Sequence, residues 1–275
     1  MTLRTLIKYY FLPKKFISDF RNLIEQRFTD DLKKESLIPT TETRDEDIFI
    51  VGYPKSGNTW MQSLMAGVLY CTDTEILPDK LAQEIVPDVD ARKYYKRFGN
   101  INFFKSHSLP VPEYKNVIYL VRDARDVMVS YYYYLKASGQ NTGLDELIEE
   151  QNVPQGKWHE HIEAWHKNPY NAKIIYIRYE DLLADPRREL KKILSFFNID
   201  KEDVELDRVI QGNSFAEMQR KADYYQEFGP KLRTKNREFF RKGEAGDYKN
   251  ELNDKQINSI TEKARGALKL FNYID

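Results

Sequence analysis

The chain has 275 residues, 43 basic and 43 acidic side chains, and so no net charge at neutral pH. Its length suits one α/β domain with a sizeable core, and its balance argues against a polyanion such as nucleic acid as partner, while leaving room for a local basic pocket. The single cysteine, Cys71, excludes an intrachain disulfide framework, and no apolar run approaches the ~20 residues needed to span a bilayer.

Met1 to Glu35 opens basic and aromatic. Leu3, Leu6, Ile7 and Tyr10 stand at helical spacing, Pro13 interrupts, and Phe16 to Phe28 resumes the pattern. Arg4, Lys8, Lys14 and Lys15 break the apolar residues in a way unlike a secretory signal, so the expected compartment is cytoplasmic. An amphipathic stretch of this kind either packs on its own domain or makes a peripheral membrane contact. Ser36 to Glu46 is polar and reads as a loop.

Asp47 to Tyr70 organises the rest. Ile48 to Val51 is a short β-branched apolar run, as in a buried strand. Gly52 to Thr59 is a turn with two glycines and a proline, and Trp60 to Tyr70 places Met61, Leu64, Met65 and Val68 at helical spacing. Strand, glycine turn and helix together make an anion site, because glycine admits backbone N–H groups to a phosphate and the helix N-terminus adds partial positive charge. The Gly52–Gly57 spacing matches half of a Walker loop. The lysine, however, stands early, at Lys55, and Asn58-Thr59 follows the second glycine. An ordinary strand-to-helix turn with a surface lysine is the alternative. Cys71 follows the helix and reads as a small buried apolar residue.

Further along, Ile101 to Phe104 predicts a strand ending at Lys105-Ser106-His107. Asn116 to Val121 predicts a second buried strand, running into Arg122 and then a helix from Asp126 through Tyr134. Leu144–Gln151 and Trp158–Lys167 read as helices, Lys173–Ile177 as a third strand before Arg178-Tyr179, and Pro186–Phe197 as an amphipathic helix. From Gln211 to Tyr248 the chain reads as polar, aromatic loop, and a last helix covers about Asp254 to Leu270. Alternating strands and helices predict an α/β fold with a central, mostly parallel sheet flanked by helices. Ligands then bind at the carboxyl ends of the strands, where Lys55-Ser56, Lys105-Ser106-His107, Arg122 and Arg178-Tyr179 would converge.

Each candidate has a plain alternative. His107 could accept a proton from a hydroxyl, or be a structural histidine. Arg122 and Ser130 could grip one phosphate, or Arg122 could pair with Asp123 or Asp126. Phe239 to Lys249 could close over an anion or be a solvated loop. His159, His161 and His166 lack the spacing of a metal site, so no metal is expected. A kinase with a variant phosphate loop, and a binding protein without turnover, remain rival readings.

Taken together, four segments resemble the cytosolic-type sulfotransferases that use 3′-phosphoadenosine 5′-phosphosulfate (PAPS). Tyr53-Pro54-Lys55-Ser56-Gly57-Asn58-Thr59-Trp60 is similar to that family's YPKSGTTW. Lys105-Ser106-His107 is similar to KTH, Val121 to Tyr133 to CRNAKDVAVSFYY, and Arg241 to Asn250 to RKGxxGDWKN. Tyr179-Glu180-Asp181-Leu182 and Ser214-Phe215-Ala216-Glu217-Met218 match two more. The resemblance implies a single sulfotransferase domain over residues 1–275, with 1–46 as an N-terminal extension. It also implies transfer of a sulfuryl group to a hydroxyl or amine of a small-molecule acceptor, with product PAP and no metal. It implies roles too: His107 as general base, with Lys55, Lys105 and Ser130 at the reacting groups. Lys55, Ser56, Gly57, Asn58 and Thr59 would hold the 5′-phosphate. Trp60 and Phe215 would sandwich the adenine, with Tyr179, Ser214 and Met218 near the base. Arg122, Ser130, Arg241, Lys242 and Gly243 would take the 3′-phosphate. Tyr131 to Tyr134, Tyr224-Tyr225, Phe228 and Phe239-Phe240 are candidates for the acceptor wall. The family's dimerisation pattern KxxxTVxxxE is absent, since Asn253 stands four residues after Lys249, and the oligomeric state stays open.

Overall fold

The strand Ile48–Gly52 (β2) sits inside a four-stranded parallel sheet, and all five of its residues are buried. In this computed structural model residues 34–70, 79–151, 153–225 and 242–275 are described. The remainder, including Met1 to Phe28, Cys71, Phe228, Phe239, Phe240 and Arg241, lies outside the described residues. The chain divides into two units, Met1–Glu42 with Lys93–Phe98, and Thr43–Arg92 with Gly99–Asp275.

In the first unit β1 (Ile38–Pro39) pairs antiparallel with β3 (Tyr94–Tyr95), and the Tyr95 hydroxyl donates to the Glu42 carbonyl at 2.9 Å. Of this short ribbon, β1 falls within the stretch read as a loop.

In the second unit the sheet order is β4 (Phe103–Ser106), β2, β5 (Asn116–Val121), β6 (Lys173–Arg178), all parallel. Helices cover both faces, which is why β2 and β5 read as continuous apolar runs rather than alternating ones. On one face Ile48 and Ile50 pack with Met61, Leu64 and Met65 of α1 (Asn58–Tyr70). On the other, Phe49 stacks on Phe104 at 5.2 Å and on Tyr114 at 3.8 Å between ring centres. The strand expected at 101–104 begins at Phe103, because Asn102 is taken up by Asp47: its N–H meets Oδ1 at 2.9 Å, and the pairing to Ile48 starts one residue later.

The remaining elements of this unit are α2 (Asp79–Ile85), α3 (Ala124–Ala137), α4 (Leu144–Glu150), α5 (Trp158–Lys167), α6 (Tyr179–Ala184), α7 (Pro186–Phe196), α8 (Asp203–Gly212), α9 (Phe215–Tyr225), α10 (Tyr248–Glu251) and α11 (Asp254–Leu270). Helix α3 starts two residues before its expected position because Asp123 caps it, accepting from the Arg125 N–H. Part of the stretch read as loop is helical. Ser214 Oγ accepts from the Glu217 N–H at 3.4 Å at the start of α9, and Met218, one turn on from Phe215, is buried. Within residues 215–220 of this helix only Met218 is buried, which leaves too faint a period to read. Among the described residues no helix is long and apolar enough to cross a membrane.

Candidate active site

Four parallel strands end on the same edge of the sheet, and the residues just past them meet there. Val51 pairs with Ser106, Gly52 with Leu120 and Val121 with Arg178, so Tyr53, His107, Arg122 and Tyr179 start from neighbouring points. A cavity of about 750 Å³ opens at this edge, with Lys55, Lys105, His107, Arg122 and Tyr179 in its wall.

The turn after β2 is held in an unusual backbone shape. Lys55 has φ 72° and Gly57 φ 98°, values that L side chains rarely adopt. A Cβ on Gly57 would stand 2.8 Å from the Tyr179 ring, so glycine is required there on both counts. The turn feeds α1, whose first intrahelical partner is the Gly57 carbonyl, accepting from Met61. The amides of the first turn therefore have no carbonyl within the helix. Ser56 and Asn58 are buried below the turn, and Ser56 Oγ and Asn58 Oδ1 find no partner among the described residues. Thr59 and Trp60 line the cavity. The Trp60 indole donates to the Asn213 carbonyl at 2.9 Å.

The Gly52 carbonyl is a junction. It accepts from Asn58 Nδ2 at 3.2 Å and faces His107 Nδ1 at 2.7 Å. A carbonyl can only accept, so Nδ1 carries the ring proton and, in the neutral imidazole, Nε2 is left with its lone pair. Burial, and then the charge of Lys105, hold the His107 pKa below the ordinary histidine value. The ring is therefore neutral around pH 7. Helix α5 clamps the same loop from behind. His161 Nε2 lies 3.0 Å from the His107 carbonyl, and Trp165 donates to the Ser108 carbonyl at 3.0 Å. His161 is fully buried, faces the Tyr119 hydroxyl at 2.7 Å, and is pulled down to about 4 by burial. It is a structural neutral histidine, and among the described residues no cluster of metal-ligating groups exists.

Lys55 reaches into the cavity with its Nζ 4.7 Å from the centre of the Tyr134 ring. Burial, with Arg122 and Lys105 nearby, pulls its pKa down to about 7. Arg122 lies over the Tyr179 ring at 4.3 Å and donates to the carbonyls of Lys55 (3.2 Å) and Glu244 (3.1 Å). The pairing of Arg122 with Asp123 or Asp126 does not form: Asp123 holds Arg125, and Asp126 accepts from the Gly246 and Tyr248 amides. Arg122 Nε is buried without a partner among the described residues.

Ser130, Phe215, Met218, Lys242 and Gly243 are also in the wall. Lys242 is bound to Asp247 at 2.7 Å and to Glu251 at 3.1 Å. Gly243 has φ 66° and lies so close to Phe215 that a Cβ would stand 2.4 Å from that ring. Ser214 caps α9 instead of lining the cavity. Tyr131, Tyr134, Leu135, Leu147, Val153 and Pro154 supply an apolar stretch of wall. Tyr132 and Tyr133 are not part of it, and Tyr133 donates to Glu251. Asp88 lines the cavity too and went unnoticed in the sequence, where nothing marks it.

Comparison with known proteins gives a consistent result. The family description "Sulfotransferase domain" matches residues 45–272. Sulfotransferase 1E1 of Rattus norvegicus is 30% identical, with 78% of this chain and 80% of that protein covered. The crystal structure of mouse sulfotransferase SULT7A1 complexed with PAP matches at TM-score 0.60 and 26% identity, covering 80% of this chain and 84% of that one. Retinol dehydratase in complex with androsterone and inactive cofactor PAP shares the fold at TM-score 0.64 and 17% identity, with 84% and 83% covered.

Proposed function

The chain belongs to the sulfotransferase family, and from that premise we propose that it moves a sulfuryl group from PAPS to a hydroxyl or amine of a small-molecule acceptor, with His107 as general base. The observation that carries this reading is the 2.7 Å contact of His107 Nδ1 with the Gly52 carbonyl. It ties the base to the end of the strand that starts the phosphate turn, and leaves Nε2 as acceptor.

The residues present fit this donor. The turn offers first-turn amides, and the Ser56 hydroxyl and Arg122 Nε are buried donors without a partner among the described residues. A cavity of about 750 Å³ has room for a nucleotide beside a small acceptor. The mouse relative's complex with PAP supports the same choice.

When bound, PAPS supplies an activated sulfuryl group and leaves as PAP. Ser56 to Thr59 would hold the 5′-phosphate through backbone N–H groups. Arg122, Ser130, Lys242 and Gly243, with Arg241, would hold the 3′-phosphate, and Trp60 and Phe215 would flank the adenine. Lys55 would neutralise charge on the leaving phosphate and Lys105 charge on the sulfuryl oxygens. His107 Nε2 would take the proton from the acceptor hydroxyl or amine as it bonds to the sulfuryl sulfur and the bond from that sulfur to the 5′-phosphate oxygen breaks. The apolar stretch from Tyr131 to Pro154 would seat the acceptor body. The family match beginning at residue 45 supports reading the chain as one sulfotransferase domain with an N-terminal extension.

The test is transfer of radiolabelled sulfate from PAPS to a panel of phenols, aliphatic alcohols and amines. Label in an organic product with the wild type, and none with His107→Gln, is expected. Normal PAP binding with no labelled product from any acceptor would overturn the enzymatic reading.

A further inference from the structure

Two carboxylates outside these assignments reach the site from the side. Residues 87–90 run beside the end of β4: Lys105 N–H donates to the Pro87 carbonyl and Val89 N–H to the Lys105 carbonyl, both at 2.9 Å. This single parallel bridge pairs Asp88 with Lys105. Asp88 Oδ2 accepts from Lys105 Nζ at 2.8 Å, with only 19% and 13% of the two side chains exposed. Asp88 Oδ1 accepts from the Asp90 N–H at 3.0 Å. Asp90 in turn accepts from the backbone N–H of His107 and from Ser106 Oγ through Oδ2, and from Ser108 Oγ through Oδ1.

We propose that Asp88 and Asp90 form a carboxylate clip that positions the reacting groups, Asp88 aiming the Lys105 ammonium and Asp90 fixing the His107 backbone, and that their charges keep the imidazole basic enough to take a proton. The kinetic part rests on His107 being the base. The electrostatics are explicit. Around His107 stand Lys105 from β4, Asp88 and Asp90 from the bridging segment, the neutral His161 from α5, the Gly52 carbonyl from β2, and Lys55 across the cavity. Burial and Lys105 disfavour the imidazolium, while Asp88 and Asp90 favour it. A base driven too far down loses driving force for proton transfer, since general-base efficiency rises with basicity. Removing either carboxylate leaves Lys105 or the loop less compensated, and the imidazole becomes a weaker base.

The experiment is a ring-nitrogen NMR titration of the four histidines in the wild type, Asp88→Asn and Asp90→Asn, each checked for a folded spectrum and for PAP binding. The pH profile of kcat is taken with the best acceptor of the panel above. The His107 midpoint in each variant should fall by at least about half a pH unit, as expected on losing a nearby opposite charge. The acid limb of kcat should move to lower pH with it. Folded variants with the wild-type midpoint and limb would overturn the proposal, because a merely structural role lowers kcat without moving either. Should Asp90→Asn fail to fold, Asp88→Asn decides alone. The ring titration needs no acceptor, so a protein that shows the shift and transfers nothing would overturn the proposed function and leave the clip standing.

Discussion

The two kinds of wall around the cavity are made of different material. The phosphate turn presents backbone: positive-φ residues Lys55 and Gly57, the first-turn amides of α1, and the Gly52 carbonyl that touches both Asn58 and His107. The opposite stretch, from Tyr131 to Leu135, Leu147 and Val153–Pro154, presents side chains on helices and loops. Backbone geometry recognises a phosphate whatever else the molecule carries, and it tolerates few substitutions. Side chains on a scaffold can be exchanged without disturbing the turn. The proposed donor is thus tied to the fold, and the proposed acceptor only to its decoration.

The sharpest way to break this division is at the residue that joins the two sides. His107→Ala should lower turnover by at least ~100-fold, the lower range for loss of a general base, with PAP binding unchanged by calorimetry. Near-normal turnover would remove His107 from the chemistry. Next comes Gly52→Ala. The added Cβ would meet the Leu120 backbone carbonyl at 2.7 Å, and a backbone atom cannot step aside cheaply. Denaturant unfolding should show a loss of ~1–3 kcal/mol, and PAP binding should weaken with it. A variant as stable as wild type would mean that the turn is softer than its contacts suggest. Smaller effects come from pH. His107 must be neutral to act, and its pKa lies below the ordinary value near 6.5. The midpoint of the acid limb of turnover should therefore lie below about pH 6.5. A midpoint above that value would contradict the direction of the shift. The smallest effect is a fraction of a proton. Lys55 sits at about 7 in the free protein and should be charged beside a bound phosphate. PAP binding at pH 8 should take up a proton, seen as binding heats that vary with the buffer's ionisation enthalpy, and uptake should vanish near pH 6 and in Lys55→Met.

The same division explains what could be read from the sequence. The turn from Gly52 to Thr59 is contiguous, so its glycine spacing, its displaced lysine and the strand and helix on either side were visible together. The strand Asn116–Val121 was legible as one continuous buried apolar run, Lys173–Ile177 by its three isoleucines and tyrosine, and the helices Trp158–Lys167 and Asp254–Leu270 by apolar residues recurring at helical spacing. Asp88 was not, because it reaches Lys105 through one isolated bridge across 17 residues, and no local pattern announces such a contact. Helix α9 was hidden because within its residues 215–220 only Met218 is buried. The role of His161 was also out of reach: its partners, Tyr119 and the His107 carbonyl, are 42 and 54 residues away. Polar clusters after parallel strands did meet at one edge, because strand direction alone brings them there.

The most direct measurement is calorimetric binding of PAP against ATP, each with and without magnesium. The account predicts tight binding of PAP that does not depend on magnesium, and weak binding of ATP, since the cavity-wall residues Arg122, Ser130 and Gly243 are proposed to hold a 3′-phosphate that ATP lacks. Preference for ATP with magnesium would contradict it and return Lys55 to the role of a kinase lysine.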